Sequence, residues 1–223
     1  QVRLSKGSSG ASWGELGKPD VLLRAGEKLQ EEGATAIAAV TRFPEEFESN
    51  ALEAYQLGNG VDVLAGAEAV ISHLLVKHLG IPCAHSPALS SLPINSLLDP
   101  RVAGEELGYS FLACVLVGLS RAPDLIPLKE LAKNDAVNPL DLLFANQLGA
   151  VVAPEGALGG EAVLASLARG LPLIAVVNPC LLAVTTEALG INKSPKAQQS
   201  KVFNVSNYFE AAGVIMLLRE GIA

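Results

Sequence analysis

The chain is short of charged residues, aromatic residues and long apolar runs, and each shortage excludes a class of protein. Of its 223 residues, 17% are charged and 4% aromatic, whereas 50% are hydrophobic, and the mean hydropathy is +0.37. Disordered chains combine low hydrophobicity with high net charge, so disorder is excluded. A membrane-spanning helix needs about 20 consecutive apolar residues. The longest uninterrupted run, Phe111–Val117, is about a third of that length, so neither a span nor a membrane contact is predicted.

Basic residues are also few, and they form no cluster. The chain has 16 Lys and Arg against 23 Asp and Glu, for a formal net charge of −7. Proteins that bind along a phosphate backbone carry clustered Lys and Arg. We therefore expect no nucleic-acid partner.

The cysteines number only three, Cys83, Cys114 and Cys180, and they lie far apart. An odd number of dispersed cysteines beside apolar runs is typical of reduced thiols in a cytosol-like compartment. A site formed by Cys83, His85 and Cys180 is an alternative, with the cysteines as metal ligands or Cys180 as a nucleophile. No C-x-x-C or H-E-x-x-H spacing supports it, so we predict no metal site, and no cofactor is indicated.

Short apolar segments alternate with helical patterns along most of the chain. This order predicts an α/β fold with a mostly parallel sheet, helices on both faces and Rossmann-like layering. The predicted strands are residues 36–41, 81–84, 111–117, 150–153, 173–177 and 202–205. The predicted helices are residues 19–32, 51–57, 63–78, 102–107, 161–169, 182–189 and 208–220. We read residues 1–18 as a Gly- and Ser-rich leading loop, and residues 19–223 as a single domain.

Polar loops follow the predicted strands, and ligands of open parallel sheets bind beyond the carboxyl ends of the strands. Histidine titrates near neutral pH, so His85 is a candidate acid or base. Arginine offers a planar fork for carboxylate or phosphate, and hydroxyl and amide groups add hydrogen bonds. The candidate ligand-binding residues in these loops are Arg42, Ser86, Ser120, Arg121 and Asn178. The alternative for each is surface pairing or attachment of a loop.

The segment Ala150–Glu161 reads as a strand, a glycine-rich turn and a helix. Free N–H groups at a helix start attract anions, and glycine lets a ligand approach the backbone. Glu155 is a candidate general base, or a group that holds a ribose or a cation. The glycines form neither G-x-G-x-x-G nor a P-loop, and a tight turn that only packs the helix is the alternative. The candidate binding residues are Gly156, Gly159 and Gly160.

Several segments together resemble a protein family of cyanobacteria and plants, the domain-of-unknown-function family 3326. They are Gly10-Ala-Ser-Trp-Gly-Glu15, Gly60-Val-Asp-Val-Leu-Ala-Gly-Ala-Glu-Ala-Val-Ile-Ser-His73, Ile81-Pro-Cys-Ala-His-Ser-Pro-Ala-Leu89, Val117-Gly-Leu-Ser-Arg-Ala-Pro123 and Ala153-Pro-Glu-Gly-Ala-Leu-Gly-Gly160. The family has no assigned reaction. The resemblance implies a cyanobacterial cytoplasm or a plant plastid stroma, and members with a further N-terminal region. Because the chain starts at Gln1, we expect it to be the C-terminal part of a longer protein.

A weaker likeness concerns Gly156–Gly160, the following helix and the strand at residues 173–177. These resemble part of the nicotinate-nucleotide–dimethylbenzimidazole phosphoribosyltransferases, which use a glutamate base and bind phosphate at helix starts. The other signature segments of those enzymes are not evident in this chain. The likeness implies a phosphoribosyltransferase-like transferase as one alternative function.

The residues do not name a reaction, but they favour a class of function. We expect the chain to bind a small anionic or phosphorylated metabolite at the carboxyl edge of its sheet, either as an enzyme or as a binding protein. His85 and Glu155 are the predicted catalytic residues. A non-catalytic assembly protein with an apolar interface is the alternative, since the helix at 208–220 is apolar enough for core or interface. We expect a homo-oligomer, or pairing with an N-terminal region.

Overall fold

In a computed structural model, the described residues are 2–43, 49–88, 95–106, 111–131, 138, 141–179, 182–191 and 201–222. They form an α/β fold in which strands alternate with helices and most strand pairs are parallel, as predicted. The strands are β1 (Val2–Lys6), β2 (Ser12–Leu16), β3 (Ile37–Thr41), β4 (Cys83–Pro87), β5 (Val151–Pro154), β6 (Leu173–Val176) and β7 (Val202–Val205). The helices are α1 (Pro19–Glu31), α2 (Ser49–Gln56), α3 (Ala65–Leu79), α4 (Pro100–Glu106), α5 (Phe111–Leu119), α6 (Leu128–Leu131), α7 (Glu161–Ala168) and α8 (Tyr208–Arg219).

The strands form three small sheets, whereas the sequence analysis expected one. The pairs β1–β2 and β3–β4 are two-stranded sheets, and β5–β6–β7 is three-stranded. The chain divides into two compact units, Gln1–Val137 and Asn138–Ala223. The first unit holds the two-stranded sheets and the second holds the three-stranded sheet. None of the described helices is both long enough and apolar enough to cross a membrane.

The leading segment is a β-hairpin, so the prediction of a loop over residues 1–18 was wrong. β1 and β2 pair antiparallel, with Val2 opposite Leu16 and Lys6 opposite Ser12. Gly7 and Gly10 lie in the turn between them, where the Gly7 N–H donates to Ala11 O at 2.8 Å. Composition concealed the strands because the turn residues lie in the middle of the segment, with alternating side chains on either side.

The hairpin packs closely on the first turn of α3 through two glycines. A Cβ at Gly14 would overlap the backbone of Ala67, and one at Gly66 would overlap the backbone of Ser12 and Trp13. The same contact places the Ser12 hydroxyl where it accepts the Gly66 N–H at 3.1 Å. Two of the segments that carry the family resemblance thus meet here, and they fix the hairpin to the helix.

The parallel pair β3–β4 is the second sheet of the first unit, and it forms a βαβ unit with α3. Ile37 pairs with Cys83, and Ala39 pairs with His85. Ile37 packs in a core with Ile71 and Leu75 of α3, both almost fully buried. Because a connecting helix runs antiparallel to its strands, the first half of α3 lies towards the carboxyl ends of β3 and β4.

The segment Phe111–Val117, predicted as the clearest strand, is part of the helix α5. The Ser120 N–H donates to Leu116 O at 2.9 Å, a helical i→i−4 bond. A continuous apolar run of this length fits a buried strand or a buried helix equally well, and periodicity does not separate them. Ala and Leu within the run favour helix. Leu112, Leu116 and Val117 are exposed, so the run is not covered on both faces as a central strand would be.

In the second unit, β6 is the central strand and is buried along its whole length. Its side chains alternate between two cores. Leu173 and Ala175 pack with residues of α7, while Ile174 and Val176 pack with residues of α8. The predicted arrangement of a parallel sheet between helices is therefore confirmed for this sheet.

The predicted helix over residues 182–189 is also wrong. The described residues 182–191 form turns around a bridge in which Val184 pairs with Gly156 and Ala157. This segment lies against the loop that follows β5. It contributes Ile191 to the α7 side of the core.

Candidate functional site

Glu155 begins the loop at the carboxyl end of β5, and its main chain is fixed by the sheet. The Glu155 N–H donates to Val176 O at 2.7 Å. Its carboxylate Oε1 accepts the Thr186 N–H at a long 3.4 Å. The other oxygen, Oε2, is buried and has no hydrogen-bond partner in the described part of the chain. A buried acceptor without a partner costs about 1–3 kcal/mol, and more for a charged group.

The loop after Glu155 turns sharply and is held by residue 184. Gly156 has φ +100°, a left-handed conformation that glycine adopts without strain. The Val184 N–H donates to Gly156 O at 2.7 Å, and the Leu158 N–H donates to Val184 O at 2.9 Å. A Cβ at Gly159 would press against the Val184 side chain at 2.9 Å. Gly156 and Gly159 therefore shape the loop, whatever else they do.

Gly160 ends the loop as the residue that precedes α7, and its surroundings are open. Its backbone is extended, with φ −69° and ψ 150°, and no side chain caps the first turn of α7. No atom of the described residues lies within 4 Å of the position where a Cβ would be. The first N–H groups of a helix have no partner within the helix and carry the positive end of its dipole. This turn can thus receive an acceptor from outside the helix.

The N-termini of two other helices differ, because the protein itself supplies their acceptors. At α8, Asn207 accepts the Phe209 and Glu210 N–H groups with its side chain. At α3, Ser12 accepts the Gly66 N–H, and Asp62 accepts the Leu64 N–H at 2.8 Å.

Asn178 follows β6 by two residues, at the same edge of the sheet as Glu155. It is exposed, and its Nδ2 donates to the hydroxyl of Tyr208 at 3.3 Å. Since Tyr208 starts α8, this contact joins the ends of β6 and β7.

His85, the other predicted catalytic residue, lies in the first unit and contacts α3. Its Nδ1 lies 3.0 Å from the Ser72 hydroxyl, and Glu68, one helical turn earlier, is buried. Burial lowers the pKa of His85, and the charge of neighbouring His73 lowers it further. The neutral imidazole is therefore favoured. Ser72 and Glu68 were not among the residues predicted from the sequence. Their i, i+4 spacing on a predicted helix places them on one face.

Two other predicted residues of the first unit, Ser86 and Arg42, lie in and beside the β3–β4 sheet. Ser86 is 1% exposed, so the alternating strand turns its side chain into the interior. Arg42 follows β3 and is exposed.

Ser120 and Arg121 follow the helix α5. The prediction that they follow a strand and lie at a sheet edge was therefore wrong. The Ser120 hydroxyl donates to Val117 O at 2.7 Å. The Arg121 N–H donates to Gly118 O at 3.1 Å. Both residues thus lie at the C-terminal end of α5, where the helix dipole favours a positive charge. Their role in binding stays a prediction.

The described cysteines, Cys83 and Cys114, form no disulfide. Burial raises the pKa of Cys83. No group of three or more His, Cys, Asp or Glu within the described ranges could hold a metal ion. Cys180 lies outside the described residues.

The fold and the site define an α/β protein in which a glycine-rich loop leads into a helix that has no side-chain cap among the described residues. The chain belongs to the DUF3326 family, a protein family of unknown function, whose model matches residues 1–223. The resemblance drawn from the sequence segments is therefore confirmed.

A relative from the cyanobacterium Synechococcus is named an uncharacterised lipoprotein. It is 41% identical over 222 residues, which cover 99% of this chain and 57% of the relative. The chain thus spans a little over half the length of that relative. No solved structure matches the chain. The cytoplasmic or plastid location implied by the resemblance stays a prediction.

Proposed function

We propose that the carboxyl edge of the β5–β6–β7 sheet binds a small anionic metabolite, with its anionic group at the N-terminus of α7. The observation that carries the proposal is the open first turn of α7. Among the described residues, no side chain caps it and no atom lies within 4 Å of a Cβ built at Gly160. The anion would accept hydrogen bonds from the N–H groups of residues 161–163, as phosphate does at other helix N-termini.

The position of this turn supports the proposal. It follows the first strand of a parallel sheet, and ligands of such sheets bind beyond the carboxyl ends of the strands. Glu155 and Asn178 lie at the same edge and offer polar atoms to the rest of a ligand. Glu161, in the first turn, is exposed, so its carboxylate can remain in solvent when an anion binds.

Substituting Gly160 tests the proposal. The extended backbone at this position accepts any residue, and Gly160→Asp would place a carboxylate where the ligand anion is proposed to bind. We expect titration calorimetry with inorganic phosphate to show at least a tenfold weaker affinity for Gly160→Asp than for the wild type. The same substitution should stabilise the fold by a few tenths of a kcal/mol, because it caps the helix.

Gly160→Ala is the matched control. It adds a methyl group in open space but no acceptor, so phosphate affinity should stay within threefold of the wild type. Equal phosphate affinity in Gly160→Asp and the wild type would place the anion elsewhere. Absence of phosphate binding by the wild type would refute the proposal.

Assembly through an apolar surface is the second candidate, and α8 favours it. Phe209 is 92% exposed, and Tyr208 and Met216 are both more than half exposed. Contiguous exposed apolar residues mark interaction surfaces. The candidate interface is thus the exposed side of α8, paired with a second copy of the chain.

Sedimentation equilibrium of the wild type and Phe209→Ser tests this second candidate. We expect a dimer for the wild type and at least a tenfold weaker association for the variant, because Phe209 presents the largest exposed apolar surface on α8. Ala165→Ser, at an exposed position of α7 and outside the candidate interface, should leave the association unchanged. A monomeric wild type would rule out assembly through this surface.

A further inference from the structure

The carboxylate of Glu155 is the group in the second unit whose hydrogen bonds are least complete. Its Oε2 is buried and has no partner among the described residues, and its Oε1 has only the long 3.4 Å contact from the Thr186 N–H. A carboxylate accepts through both oxygens. Leaving one of them buried without a donor is destabilising, so the unliganded site is incomplete at this atom.

Hydrogen bonds hold the main chain at Glu155 and at the residue that follows it. The Glu155 N–H extends the ladder to Val176. The next residue, Gly156, is held by the Val184 N–H at 2.7 Å. Glu155 thus stands at the start of the loop whose other end is Gly160, where the anion is proposed to bind.

We infer that Glu155 is a specificity-determining residue that accepts an O–H or N–H donor of the bound ligand. This inference rests on the proposed function. The ligand would be a small phosphate or carboxylate ester or acid that also carries a hydroxyl or ammonium group. Its anionic end would meet the first turn of α7, and its donor would complete the hydrogen bonding of Glu155 Oε2.

Matched probes separate the two ends of such a ligand. Propyl phosphate carries only the anion, whereas glycerol 3-phosphate and O-phosphoethanolamine add hydroxyl or ammonium donors. We expect the wild type to bind at least one of the two donor probes tenfold or more tightly than propyl phosphate. In Glu155→Leu, which keeps a similar volume but has no acceptor, the three affinities should come within about threefold of one another.

Glu187→Gln is the control, because it removes a carboxylate from an exposed position beside Thr186 and outside the first turn of α7. It should keep the preference for the donor probe. Phosphate binding without any donor preference in the wild type, or with a preference that survives in Glu155→Leu, would overturn this inference and leave the proposed function intact. Absence of binding of every anion by the wild type would overturn both.

The melting temperature of the unliganded protein gives a readout that does not depend on binding. A carboxylate kept for a ligand weakens the empty site, so Glu155→Leu and Glu155→Gln should melt at or above the wild-type temperature. If Glu155 serves only to hold the Thr186 segment, both variants should melt several degrees lower. That result would overturn the inference.

Discussion

At the scale of single residues, the burial of His85 makes the stability of the fold depend on pH. Its pKa is lowered by burial first and by His73 second. As the pH falls, the unfolded chain therefore takes up this proton before the folded chain does. The contribution of His85 is fully present above its unfolded-state pKa of about 6.5 and is lost as the pH falls through the folded-state pKa.

We therefore expect the free energy of unfolding to decrease between pH 7.5 and pH 5.5, and to decrease less in His85→Gln. Urea unfolding of both proteins at the two pH values measures this difference. Comparing changes with pH, and not absolute stabilities, removes the effect of losing the Ser72 contact. The contact of His78 Nε2 with Glu27 Oε1 at 2.6 Å is present in both proteins. An identical pH dependence in the two proteins would contradict the assignment.

The residues of the candidate site were predictable where chain order alone decides their place. Glu155 and the glycines follow a strand and precede a helix, and both elements lie where the pattern predicts them. The contacts between Glu155 and Thr186, and between Ser72 and His85, were not predictable. Their partners are separated by 31 and 13 residues, and no periodicity links such distant positions.

At the scale of elements, the contact between the hairpin and α3 explains why small residues recur at both. Gly14 and Gly66 allow two backbones to approach closely. We expect Gly14→Ala to lower the free energy of unfolding by about 1–3 kcal/mol, because the methyl group must displace the main chain of α3. Urea unfolding measures the loss.

The matched control is Gly104→Ala in α4, where no atom lies within 4 Å of the added methyl group. Alanine in an open helical position stabilises the helix by about 0.5–1 kcal/mol relative to glycine. The two substitutions should therefore have opposite signs. A stabilising effect of Gly14→Ala would contradict the close packing of the hairpin on α3.

Elements were predicted best where two independent signals agreed. α1, α7 and α8 combine a helical pattern with a start or stop signal, and β6 combines an apolar run with a strand's length. α5 had only its hydrophobicity, which is shared by buried strands and helices. β1 and β2 were masked by the glycines of their own turn. Tertiary packing, which composition does not report, decided these cases.

At the scale of the whole molecule, the high hydropathy noted in the sequence has a structural origin in both units. In the second unit, β6 is buried on both faces, and the helices α7 and α8 bring apolar residues to it. In the first unit, α3 supplies most of the fully buried side chains. Both units also expose apolar side chains such as Leu116 and Phe209, and α8 carries the candidate interface for that reason.

The division into two units was not predictable from local patterns. A run of alternating strands and helices has the same appearance whether it builds one sheet or several, because strand pairing is set by contacts between distant segments. The alternating pattern therefore predicted that all the loops after the strands meet at one edge of a single sheet. The strands instead divide between the units, and the proposed function concerns only the edge of the β5–β6–β7 sheet.

Anion binding at the N-terminus of α7 is tested most directly by observing the backbone amides of this helix while phosphate is added. In a nitrogen–proton NMR titration of the whole chain, the amide signals of residues 161–163 should shift progressively and saturate. The Gly160→Asp variant should show no such shift at the same phosphate concentrations. Saturable shifts confined to other residues, with the amides of residues 161–163 unchanged, would contradict the claim that the N-terminus of α7 is the anion site.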